Sequence, residues 1–100
     1  MYEIKGKKII MNEGDFGTIV IFKFSKEIKD NIKIEIYNCN KEIIVSKIYE
    51  NVGSAIYFIL TPEETNKLKV GIYNYKLYQY GTNIKNTLLL DETFIVEEGA

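Results

Sequence analysis

The sequence predicts an all-β protein, an immunoglobulin-like antiparallel β-sandwich of about seven strands with one short helical turn. Three observations predict it. Apolar and polar residues alternate with period two through most of the chain. Clusters of Gly, Asn, Asp and Ser interrupt the alternation at the roughly 8–12-residue spacing of short strands joined by tight turns. One segment alone, 61–68, carries helix-start chemistry. With 100 residues, 46% of them apolar, the chain has the size and composition of a single domain spanning 1–100 with its own core.

The elements follow in order. "YEIKGKKIIM", Tyr2 to Met11, reads as a first strand interrupted near Gly6, and "NEGD" after it as a turn. "GTIVIFKF", Gly17 to Phe24, is strongly β, with Val20, Phe22 and Phe24 on one face and Ile19, Ile21 and Lys23 on the other. "SKEIKDN" is polar, with Ile28 as a plug for the end of the core. "IKIEIYN" alternates cleanly: Ile32, Ile34 and Ile36 face in, and Lys33, Glu35 and Tyr37 face out. "NCNK", Asn38 to Lys41, is a hairpin turn into "EIIVSKIY", where Ile43/Val45 and Ile44/Ile48 compete for the inner face. "AIYFIL" places Ile56, Phe58 and Leu60 inside.

Thr61 suits an N-cap, Pro62 suits the first helical position, and Glu64 completes a capping box, so a helical turn is expected over Pro62 to Leu68. "GIYNYKLYQY", Gly71 to Tyr80, is a strand, "GTN" a turn, and "NTLLLDETFIVEE" one long strand or two short ones.

The tyrosines of "GIYNYKLYQY" divide by parity. Tyr73, Tyr75 and Leu77 face in. After Gly71, Tyr73 has the position of a tyrosine corner, with a buried ring and a hydroxyl bonded to the backbone near Thr65 to Leu68. Tyr75 stands where an antibody domain carries its second cysteine. Tyr78 and Tyr80 face out and, with Tyr37, form a candidate partner surface; a solvated face with cross-strand aromatic pairs is the plainer reading of the same residues.

Composition excludes several classes. A net charge of -1 with lysines and carboxylates interspersed gives no basic face, so no nucleic-acid partner is expected. No apolar run reaches the roughly 20 residues of a membrane helix, and "MYEIKGKKII" lacks a signal-peptide core, so synthesis in the cytoplasm without a leader and no membrane partner are expected. Every basic residue is Lys, which removes bidentate guanidinium recognition. The chain has no His, so His-dependent nucleophile systems are excluded. Cys39 alone makes neither an intrachain disulfide nor a zinc site. Asp15, Glu63, Glu64, Asp91 and Glu92 lie near turns, where capping explains Glu63 and Glu64. The expectation is no enzyme, no metal and no cofactor.

Three ordered segments carry a resemblance: "EGDFGTIVIFKF" (Glu13 to Phe24), "SAIYFILTPEETNKLKVGIYNYKL" (Ser54 to Leu77) and "NTLLLDETFIVEE" (Asn86 to Glu98). Together they resemble the small β-sandwich domain of phage and prophage tail proteins, the N-terminal domain family of the baseplate upper protein of phages of Gram-positive bacteria. The matching features are Gly14-Asp15, the Leu60 to Thr65 turn, Gly71-Ile72-Tyr73-Asn74-Tyr75, and Thr87-Leu88 with Phe94 and Val96. Lys76 stands where that family often has an acidic residue, and Asp91-Glu92 where it commonly has Gly. The resemblance implies a virion structural or assembly role, docking on other virion subunits or on copies of itself, with no catalytic residues. A carbohydrate-binding or adhesin-like module, with outward tyrosines stacked on sugars, is the alternative from another class.

Overall fold

The computed structural model describes residues 3–5, 8–28, 31–50, 53–81 and 84–98. Eight strands and one helix follow one another as β1 (Glu3–Lys5), β2 (Lys8–Asn12), β3 (Gly17–Ile28), β4 (Asn31–Tyr37), β5 (Ile43–Tyr49), β6 (Gly53–Leu60), α1 (Pro62–Asn66), β7 (Gly71–Gly81) and β8 (Ile84–Glu97). They form a six-stranded sheet ordered β1-β2-β8-β7-β4-β5 and a two-stranded sheet of β3 and β6. The chain leaves the large sheet for β3, returns for β4 and β5, leaves again for β6, and returns for β7. That is the alternation of an immunoglobulin-like all-β sandwich.

Every pairing is antiparallel except one: β2 lies parallel to β8, with Ile9 opposite Phe94 and Met11 opposite Val96. The expectation of a wholly antiparallel sandwich is corrected at this pair. The physical reason is burial. Ile9 and Met11 have no exposure, and only alongside β8 do they reach the core beside Phe94 and Val96. Nor is the first segment one interrupted strand; β1 folds back on β2, Glu3 opposite Ile10, with the Gly6 region outside the described residues. β3 continues to Ile28 through the polar "SKEI", because β6 offers it a partner as far as Gly53. Local polarity yields to pairing there.

The core is supplied by alternate residues of both sheets. Ile32, Ile34 and Ile36 of β4, Tyr73, Tyr75 and Leu77 of β7, and Ile56, Phe58 and Leu60 of β6 are all buried, as their periodicity predicts. Phe22 leans on this core, although the side chains of Val20 and Phe24 lie outside the described residues. Its ring centroid is 6.0 Å from Tyr75 across the sandwich and 6.4 Å from Phe58 beside it, and Tyr75 meets Phe94 edge-on at 6.3 Å. A ring contact thus joins the two sheets where antibody domains use a disulfide.

On β5, Val45 is buried and Ile44 packs partly against the core, while Ile43 and Ile48 are exposed. A bulge after the Ile36–Val45 pair changes the parity. The inner positions beyond Val45 fall to Lys47 and Tyr49, opposite Ile34 and Ile32. Both reach the free edge of β6. Lys47 Nζ donates to the Ile59 carbonyl (2.5 Å) and to Glu64 Oε1 (3.0 Å), and the Ile59 N–H donates to the Tyr49 hydroxyl (3.3 Å).

α1 is shorter than its sequence signal, ending at Asn66 rather than Leu68. Lys67 caps it, and Leu68 turns inward as a fully buried plug. Thr61 and Glu64 form the reciprocal capping box behind Pro62, and Thr65 Oγ1 donates to the Asp15 carbonyl (2.7 Å), tying the helix to the loop before β3. Tyr73 is 9% exposed, and its hydroxyl donates to the Lys69 carbonyl at 2.8 Å. The corner therefore closes one residue beyond the expected Thr65 to Leu68 window, because the helix ends early and Lys69 brings its carbonyl over the ring. Tyr73's ring also lies 3.9 Å from where a Cβ on Gly71 would project.

Candidate functional site

The outer face of the large sheet gathers the outward residues of β4 and β7. Register sets Lys33 opposite Tyr78, Glu35 opposite Lys76 and Tyr37 opposite Asn74. Same-face neighbours along a strand and diagonally across strands are close enough to interact, and here they do. The Tyr37 hydroxyl donates to Glu35 Oε1 (2.5 Å), Lys33 Nζ lies 3.5 Å from Glu35 Oε2, and the Lys76 ammonium sits 5.0 Å above the Tyr37 ring. Tyr78 stands beside Tyr37 on the same face. Burial, then the bond to Glu35 and the neighbouring Tyr78, push the Tyr37 phenol well above its usual range, so it remains a donor at any physiological pH.

One consequence is invisible in the alternation. Glu35 has outward parity but is only 6% exposed. Its neighbours roof it over, and a carboxylate so desolvated is tolerated because it is bonded to Tyr37 and paired with Lys33. Tyr78 and Tyr80 are half-buried rather than freely exposed. The structure joins Tyr37 and Tyr78 in one cluster and leaves Tyr80 two positions further along, opposite Asn31.

Beside this cluster stands the β4–β5 hairpin. Asn38 builds it: its Oδ1 accepts from the N–H groups of Asn40 and Glu42, both at 2.9 Å, and its Nδ2 donates to Glu42 Oε1 (3.1 Å). The Lys41 N–H donates to the Asn38 carbonyl (3.0 Å), and Lys41 takes a φ of 63°. A three- or four-residue hairpin of this kind asks for a left-handed residue there, usually Gly. Between hairpin and β7 lies an open groove of about 350 Å³ lined by Tyr37, Asn38, Lys41, Asn74, Lys76 and Asp91, with exposed Cys39 also on its wall.

Two of the other candidate groups have structural duties. Glu64 caps α1 and holds Lys47. Asp15 Oδ2 accepts from the Asn12 N–H (3.1 Å) in the turn before β3. Among the described residues no three potential metal ligands lie together, and no helix is long and apolar enough to cross a membrane. The residues that sequence reading passed over are Lys76, Glu35 and Lys33; only the cross-strand register, which a single strand does not encode, assembles them.

In comparisons with known proteins, no family model matches the chain and no curated protein does.

Proposed function

We propose that this chain is a non-enzymatic structural protein of the phage or prophage tail or baseplate type, acting by protein–protein contact through the outer face of its large sheet and reaching its place in the virion from the cytoplasm where it is made. The observation that carries the reading is the pre-ordered cluster of Lys33, Glu35, Tyr37, Lys76 and Tyr78. Glu35 is already out of water in the single chain, and Tyr37, Lys33 and Lys76 are already held by their neighbours. Covering such a surface costs little further desolvation or side-chain entropy, which is the property of a docking face. The ordered likeness of 13–24, 54–77 and 86–98 to tail-protein sandwiches supports the virion setting.

Carbohydrate stacking is less well served by the same face. One side of the Tyr37 ring is occupied by Lys76, so a sugar would have to displace a cation from it. Particles released on prophage induction from the host that carries the gene test the reading by mass spectrometry. The expected result is this chain in purified particles at levels comparable with other tail subunits. Particles lacking it, together with glycan binding lost in Tyr78→Ala, would overturn the reading in favour of a carbohydrate-binding module.

A further inference from the structure

Lys76 and Asp91 stand opposite each other on β7 and β8 and line one groove. Among the described residues neither has an ion-pair partner; the pairs there are Lys33–Glu35 and Lys47–Glu64. The Lys76 ammonium is raised instead over the Tyr37 ring. One groove thus presents a cation and an anion side by side, neither with an ion-pair partner among the described residues. Such a surface is complementary to a two-fold copy of itself, since in an isologous contact residue i meets j and j meets i.

We propose that the chain forms a two-fold dimer through the outer face of the large sheet, with Lys76 of each copy paired to Asp91 of the other. The proposal rests on the protein-docking reading above and names the partner as a second copy. Apolar area on the same face agrees with it. Ile48, opposite Lys33, is 55% exposed, and Ile72, two positions before Asn74, is 68% exposed. Contact would cover both. A net charge of -1 sets no long-range repulsion between copies. The hairpin also keeps a lysine, Lys41, at a left-handed position where Gly is cheaper, and that side chain lines the groove.

Sedimentation equilibrium of the full chain across the micromolar to millimolar range tests this. Wild type is expected to dimerise. Lys76→Glu and Asp91→Lys are each expected to weaken the dimer at least roughly tenfold, because each places like charges across the two-fold. An equimolar mixture of the two variants is expected to recover the dimer, since both cross-contacts are then opposite in charge. That recovery separates a contact between copies from one within a chain, where mixing changes nothing. Circular dichroism establishes that each variant is folded; if Lys76→Glu is not, Ile72→Lys takes its place and must also weaken the dimer. A wild type that is monomeric at millimolar concentration overturns the proposal, as does a dimer indifferent to all three substitutions but lost in Tyr57→Lys on the opposite sheet. Incorporation of the chain into particles despite a monomeric wild type would reject the dimer and leave the assembly reading standing.

Discussion

At the scale of single residues, one tyrosine and one backbone position give the sharpest tests. Tyr73 is held by its buried ring and by one bond to the Lys69 carbonyl. Tyr73→Phe keeps the ring and loses the bond, at an expected cost of about 1 kcal/mol. Tyr73→Ala also empties the corner and should cost about 3–5 kcal/mol. Urea unfolding measures both, and equal small losses would show that the ring contributes little. Lys41 is the opposite case, a residue in a conformation it does not favour. An L-residue there carries about 1–2 kcal/mol of strain, against about 0.5–1 kcal/mol for the extra entropy Gly loses. Lys41→Gly should therefore stabilise the fold, by about 0.5–1 kcal/mol, read as a raised urea midpoint. A lowered midpoint would mean that the lysine side chain contributes more to the fold than the turn geometry shows.

At the scale of elements, the β5–β6–α1 side shows both what the sequence encodes and what it leaves out. The capping box was legible because Thr61, Pro62 and Glu64 act on their own backbone within one turn. The clean alternations of β4, β6 and β7 were legible because the inward apolar residues of each are buried. The parity of β5 was not, because a bulge decides it and the bulge depends on β4. The role of Lys47 was hidden for the same reason: a lysine at an inward position reads as an error until Ile59 and Glu64 appear beside it. The parallel β2–β8 pair joins segments at opposite ends of the chain and has no local signature. The outer-face cluster shares that origin, since Glu35 and Lys76 meet only through register.

The Lys47 clamp has a pH signature. Burial pushes the Glu64 carboxyl up, but the Thr61 N–H and the Lys47 ammonium pull it down further, and the balance lies below its ordinary value. A carboxyl depressed in the folded state contributes stability that is complete above its unfolded pKa, about 4.3, and is lost as the pH falls through the folded value. Glu64→Gln should flatten the acid limb of the stability curve below about pH 5. Lys47→Met should flatten it in part, because the Thr61 N–H still holds the carboxylate, and should cost about 0.5–1 kcal/mol at pH 7, since water replaces the bond at the exposed Ile59 carbonyl. Acid limbs that match wild type in both variants would dismiss the clamp.

At the scale of the whole molecule, the sandwich is joined across its middle by rings, with Tyr75 touching Phe22 on one side and Phe94 on the other. Tyr75 is fully buried, which makes the core sensitive to alkali. Burial first, and the charge of Glu92 second, push its phenol well above the usual range. The unfolded chain releases that proton near pH 10, whereas the folded chain keeps it. Above about pH 10 the unfolded state thus binds fewer protons than the folded state, and stability falls as the pH rises, by about 1.4 kcal/mol per pH unit for this one group. Tyr37 is shifted in the same direction but is half-exposed, so solvent screens its share. Urea unfolding from pH 8 to about pH 11.5 should show the decline in wild type, a clearly shallower one in Tyr75→Phe, and only a slight change in Tyr37→Phe. If Tyr75→Phe and wild type lose stability in parallel, the phenol of Tyr75 ionises as easily folded as unfolded, and the dry ring contact between the sheets is not what closes this sandwich.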